Sequence, residues 1–178
     1  LLTGLCLYVA VTGFQIFNQS TARQALQRDT RAIFSWLQRD VGLSNLVRCV
    51  VSPHRTGDDS KDALALAGLS NWQQPLATDP LGLPAWNTVV VYQATSQGEL
   101  HRYSFDATSA GLTVPLEKAD VASGLRQAEG GGLQYHDRRH LTNHVRSFSV
   151  TLNEARNTAV FDLVLETSTR GVGAGQPR

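Results

Sequence analysis

The first charged side chain in this sequence is Arg23. Ahead of it runs an apolar stretch, Leu1-Leu2-Thr3-Gly4-Leu5-Cys6-Leu7-Tyr8-Val9-Ala10-Val11, continuing to Phe17. A helix over Leu1 to Phe17 is about 25 Å long, a little short of a bilayer core of about 30 Å. A few more apolar residues would complete a span. The sequence contains no Met, so we expect residues upstream of Leu1. The alternative is the apolar segment of a secretory signal, which ends at small residues and is removed. No small-x-small site followed by a loop occurs, and the helical pattern runs straight on, so a retained anchor is expected.

That continuation sets the fold. Ala22, Leu26, Ile33, Leu37 and Val41 fall on one apolar helical stripe, while Arg23, Gln27, Arg31, Ser35 and Arg39 recur on a polar one. The first proline is Pro53. Gly4, Gly13 and Gly42 each weaken a helix by up to about 1 kcal/mol relative to Ala, a small penalty over this length. A single helix from Leu1 to near Ser44, about 65 Å long, is expected. Its first half must sit in lipid or among other helices, and its second must lie on something folded. Cys6 and Cys49 would then stand roughly 60 Å apart, far beyond disulfide reach of 4.4–6.8 Å, about the whole observed range. Cys49 reads as a buried thiol, with an intermolecular or redox role as the alternative.

From Val50 to Trp86 the texture changes to a proline- and glycine-punctuated connection. It contains one candidate strand, Ala63 to Ala67, with Trp72 and Trp86 expected to pin it to the body. Asp58-Asp59-Ser60-Lys61-Asp62 resembles a calcium loop in its carboxylates, but it lacks the EF-hand glycine and distal glutamate and contains Lys61. A solvated turn is the better reading.

After Trp86 the period becomes two. Thr88 to Tyr92 is β-branched; His101, Tyr103 and Phe105 alternate with Leu100, Arg102 and Ser104; Leu112, Val114 and Leu116 alternate again. Ala119 to His144 reads as a long polar excursion. The clearest hairpin pairs Phe148, Val150 and Leu152 with Ala159, Phe161, Leu163 and Leu165 across a turn at Asn153 to Asn157. The tail from Gly171 reads as loose. The expected fold is α+β: a long N-terminal helix packed on an antiparallel sheet. Residues 1–21 form an apolar stem. Residues 22–178 form a head, with the amphipathic helix half at 22–45, the connection at 50–86 and the sheet at 87–167. The 178 residues, 42% hydrophobic and 17% charged, suit one packed domain with an appendage, and a net charge of +1 supplies no global field for nucleic acid.

Chemistry-bearing motifs are weak. No Gly-x-Ser-x-Gly, Walker loop or paired cysteine motif occurs, and no catalytic residue, cofactor or metal is assigned. His136, His140 and His144 recur every fourth residue, a spacing that lets two helical histidines share a metal. Arg138 and Arg139 between them repel a cation, which favours a solvated loop. Lys118, Arg138, Arg139 and Arg146 could touch DNA phosphates, but without interleaved aromatics such cations more often form a solvated face.

The stem running into Ala25-Leu26-Gln27-Arg28 and Trp36-Leu37-Gln38-Arg39-Asp40 resembles the N-terminal helix of type IV pilin-like proteins. Ala63-Leu64-Ala65-Leu66-Ala67-Gly68 with Asn71-Trp72 and Pro75, then Val89-Val90-Val91-Tyr92 with Gly98 to Tyr103, then Val145 to Val150, resemble segments of J-type minor pseudopilins. The family's processing signature, a glycine and a short apolar stretch ending in glutamate, is absent; Leu1 resembles the position just after that glutamate. The resemblance implies a structural subunit of a type IV pilus-like or type II secretion filament, at or near its tip, with no catalysis of its own. Leu1, Leu2, Leu5, Leu7, Val9, Val11 and Phe14 would pack against stems of other subunits, while Ala22, Leu26, Ile33, Leu37 and Val41 cover the head's sheet. It further implies a single-pass protein of the bacterial cytoplasmic membrane with an extracytoplasmic head, trimmed by a prepilin peptidase and drawn into the filament by inner-membrane assembly machinery. The alternative is a membrane-tethered extracytoplasmic module whose head captures a ligand.

Overall fold

The computed structural model describes residues 2–69, 78, 84–131, 135–156 and 158–166, with the side chains of 2–16 and 56 excepted. Cys6 and the seven stem positions named above, as well as Trp72 and the tail from 167, therefore lie outside the described residues or side chains. Helix α1 (Leu2–Gly42) runs unbroken for 41 residues, about 60 Å at 1.5 Å per residue. Among the described residues, no helix is long and apolar enough to cross a membrane. After α1 come β1 (Val50–Ser52), β2 (Arg55–Thr56), β3 (Asp59–Ser60), β4 (Ala63–Gly68), β5 (Thr88–Ala94), β6 (Leu100–Asp106), α2 (Lys118–Glu129), β7 (Asp137–Thr142), β8 (Val145–Asn153) and β9 (Thr158–Leu165).

Five strands form one antiparallel sheet in the order β1-β4-β5-β6-β7. Its register aligns Leu64 with Tyr92 and Arg102, and Ala65 with Val91 and Tyr103. Because side chains alternate between faces, this one register builds two cores. On one face, Leu64, Leu66, Val90, Tyr92 and Leu100 pack under Ile33 and Leu37 of α1 and Phe148 and Val150 of β8. On the other, Ala63, Ala65, Ala67, Val89, Val91 and Phe105 pack under Val121, Leu125 and Ala128 of α2. The small side chains of β4 and Gly124 of α2 permit close approach. A Cβ at Gly124 would meet Phe105, Val89 and Leu112 at 3.2–3.3 Å.

The fold is α+β, with an N-terminal helix and an antiparallel sheet, but several segments differ from the sequence reading. The excursion at Ala119 to His144 contains α2 and the edge strand β7. Its helix is polar outside and has Val121, Leu125 and Ala128 on a single inner face, and its start is closed by the Glu117 amide donating to Asp120 at 3.1 Å. Leu112 to Leu116 is no strand: Leu116 is buried and its amide donates a hydrogen bond to the Trp86 carbonyl at 2.9 Å, whereas Val114 is exposed. Strand β4 is the one expected at Ala63 to Ala67; β1 is drawn from the same 50–86 stretch without having been expected, and β8–β9 forms a separate two-stranded ribbon.

A buried clip attaches that ribbon. Asp62 accepts from the Val150 amide at 2.9 Å and the His54 amide at 3.2 Å, while its own amide donates to Phe148 O. Lys61 Nζ donates to Val145 O at 2.6 Å. Thus the acidic stretch at 58–62 is not a solvated turn throughout: its last two residues join the ribbon to the body.

Candidate functional site

Asp40 stands on the same helical stripe as Ile33 and Leu37, seven and three residues on, so packing that stripe carries a carboxylate into the core. Two donors meet it on one oxygen, Oδ2: Tyr92 Oη of β5 at 2.6 Å and Arg102 Nε of β6 at 2.7 Å. Arg102 also reaches Asp137 of β7 at 3.5 Å. Burial alone would lower the Arg102 pKa, but the hydrogen bond and charge of Asp40 outweigh it and hold the group above its ordinary value. Burial, then the negative charge of Asp40, pushes the Tyr92 phenol up. A desolvated pair gains little net stability, but removing one partner strands the other.

Beside this node the Trp36 ring lies under three guanidinium groups: Arg139 at 4.5 Å, Arg102 at 4.9 Å and Arg39 at 5.3 Å. Trp36, Arg39, Arg102, His136, Asp137 and Arg139 line a cleft of about 420 Å³. Arg102 and Arg139 are neutralised there by Asp40 and Asp137. The balanced charges and stacked ring make the cleft a seam that holds the last turns of α1 to the sheet.

A second hollow region lies along the other flank of α1, where it runs beside β9. One hollow of about 430 Å³ lies between Leu26, Thr30, Leu163 and Leu165. The next, about 560 Å³, lies between Phe34, Val41, Ala159 and Phe161. Ala159, Phe161, Leu163 and Leu165 face the core but remain half-buried, because α1 does not close over them. The opposite row of β9 is exposed, with Val160 at 61%. Among the described residues, β9 has β8 as its one strand neighbour.

The expected helix-packing residues fall along this junction. Ile33 and Leu37 are fully buried, whereas Ala22, Leu26 and Val41 are half-buried. Cys49 is buried and free, and desolvation raises its pKa to about 11. His140 lies on β7, while His136 precedes that strand, exposed, and His144 sits in the connection to β8, so none is on a helix. At about 3.3 Å per residue of extended chain, His136 and His140 stand roughly 13 Å apart, too far to share a metal. His140 instead packs edge-on against His101, at 5.2 Å between rings. Among the described residues no group of three or more His, Cys, Asp or Glu side chains is placed to hold a metal.

The four cations considered for DNA are scattered and largely engaged. Lys118 pairs with Glu154, Arg139 with Asp137, and Arg146 with Asp59, while Arg138 stacks over Tyr103. Sequence reading overlooked Trp36, Asp40 and Arg102. The signal for Asp40 was present: a carboxylate on an otherwise apolar stripe requires a buried partner. Comparison of the chain with protein-family models, curated proteins and solved structures finds no match.

Proposed function

We propose that the chain is a minor pilin or pseudopilin, a structural subunit of a type IV pilus-like or type II secretion filament. The observation that carries this reading is the single helix that begins apolar and ends locked in the head. Ile33, Leu37 and the Asp40–Arg102 pair seat its C-terminal third, so a pull on the N-terminal stem is transmitted to the head without a flexible joint. A subunit drawn out of a bilayer into a filament needs that coupling. In such a filament the stem exchanges lipid contacts for helix contacts, a far smaller cost than exposure to water. The partners are stems of other subunits, reached through Leu1, Leu2, Leu5, Leu7, Val9, Val11 and Phe14.

The test uses the full chain in cells that assemble such filaments. A photo-crosslinking residue at Leu7 or Phe14 should capture another subunit's stem, and the chain should occur both in membranes and in sheared filaments. A chain that stays in the membrane, absent from sheared filaments and cross-linked to lipid alone, overturns the reading. That outcome favours a tethered ligand-binding module, with the Trp36 cleft as the place to look for its ligand.

A further inference from the structure

We propose that the open edge of β9 is a docking site for an extended segment of another protein, which adds a third strand to the β8–β9 ribbon beside α1. This holds whether or not the chain enters a filament. Two independent features meet at β9. The first is a hydrogen-bonding edge: eight residues, Thr158 to Leu165, paired on one side with β8 and on the other with no strand among the described residues. Backbone groups in a row are satisfied by another extended chain, which is why exposed edges template strand addition. The second feature is the pair of hollows directly alongside: one at Ala159–Phe161, mainly apolar, and one at Leu163–Leu165, where Leu26 faces the strand and Gln27, Thr30 and Arg31 form a polar rim. Their centres are four strand residues apart, about 13 Å, so one extended segment can fill both with alternate side chains.

Charge narrows the occupant further. In the exposed row of β9, Val160 borders the second hollow, whereas Asp162 and Val164 line neither, and Asp162 has no cation within 4 Å among the described residues. An added strand therefore carries apolar residues on its inward row and a lysine or arginine opposite Asp162. Residues 167–178 are a poor filler, with Val172 and Ala174 their aliphatic side chains and three glycines around them. A second β9 would bring another acidic strand to the same edge.

The probe is a synthetic eight-residue peptide with valine at alternate positions, serine between them and one central lysine, titrated against the full chain in detergent micelles. Binding should be saturable and should slow amide exchange across 158–165. Backbone N-methylation of the peptide at the residues facing β9 should weaken binding at least about tenfold, because hydrogen bonds along the edge are then lost. Asp162→Lys, at an exposed position, should weaken the lysine peptide about threefold and favour a central-glutamate peptide instead. No saturable binding, or binding indifferent to N-methylation, overturns the proposal. Protection of 158–165 that grows with protein concentration and without peptide also overturns it and makes a second copy the occupant. Protection that disappears on removing residues 167–178 overturns it in favour of the chain's own tail.

Discussion

The two faces of the five-stranded sheet are covered by helices in different ways. The α2 face is dry and apolar: alanines of β4 and valines of β5 meet Val121, Leu125 and Ala128, and Gly124 brings the helix backbone close. The α1 face adds a buried ion pair and a phenol where its apolar core meets the polar Trp36 cleft, with Asp40 at 7% exposure and Arg102 at 7%. Helix α2 is short, 12 residues, and its buried face is wholly apolar, so apolar packing suffices to place it. Helix α1 enters from one end and extends well beyond the head. Sliding it by a turn would preserve much apolar contact but would strand two buried charges. The ion pair therefore opposes a one-turn slide of α1, the kind of register role best attested for buried polar groups.

The largest effect expected of this difference is on truncation. A chain beginning at Leu43 loses the burial of Ile33 and Leu37, about 3–6 kcal/mol together. It also leaves Arg102 without Asp40, a loss of about 3–5 kcal/mol. Against a whole-domain stability of about 5–15 kcal/mol, that chain should show no cooperative thermal transition, while one beginning at Ala22 should unfold cooperatively. A cooperative melt from the shorter chain would mean that α1 merely tethers the head.

Next comes the pair itself. Arg102→Ala should cost about 3–5 kcal/mol in urea denaturation, whereas the double replacement Asp40→Leu, Arg102→Met should cost less than either single loss. Leu125→Ala, on the opposite face, should cost about 2–5 kcal/mol and add independently to both. Strong coupling across the sheet would break the distinction between the faces.

Alkaline pH should act through Cys49, buried on the α1 face. Its thiol titrates near 9.0 when exposed and at about 11 when folded. The folded value is raised, so this contribution is complete below pH 9 and is lost as pH rises towards 11. Two units correspond to about 3 kcal/mol. Cys49→Ala should flatten the fall in stability measured between pH 9 and 11; an unchanged slope would assign that fall to other groups.

The smallest effect sharpens the α2 side. Gly124→Ala places a methyl group 3.2–3.3 Å from three apolar side chains. Overpacking of about 1–3 kcal/mol is offset by up to about 1 kcal/mol of regained helix propensity, so a net loss of about 1–2 kcal/mol is expected from thermal unfolding. A stabilised variant would show that the α2 interface is looser than its distances indicate.

Legibility in the sequence followed the strength of the local pattern. The β8–β9 hairpin was readable because its alternation reflects one more exposed face, β5 because of its β-branched run, and β6 because aromatic rings alternate with polar residues although both of its faces are buried. Helix α2 was missed because only Val121, Leu125 and Ala128 face inward within twelve mostly small or polar residues, and its cap uses Glu117 and Asp120 rather than a serine or threonine. Strand β7, Asp-Arg-Arg-His-Leu-Thr, lies at the sheet edge, where exposed polar side chains erase the alternation. Leu112, Val114 and Leu116 misled for the converse reason: short alternation also arises when a turn buries single side chains.

By itself the sequence determined that a long helix with an apolar start and one apolar stripe must cover an antiparallel sheet, because periodicity is a property of neighbours along the chain. It also held the carboxylate on that stripe. What the tertiary structure decided was the partner of Asp40, 62 positions away on β6, and the placement of β9 with one edge unpaired among the described residues and two hollows beside it. Pairing and openness depend on which distant segments meet, and no local pattern encodes the distance between a helix flank and the edge of a ribbon.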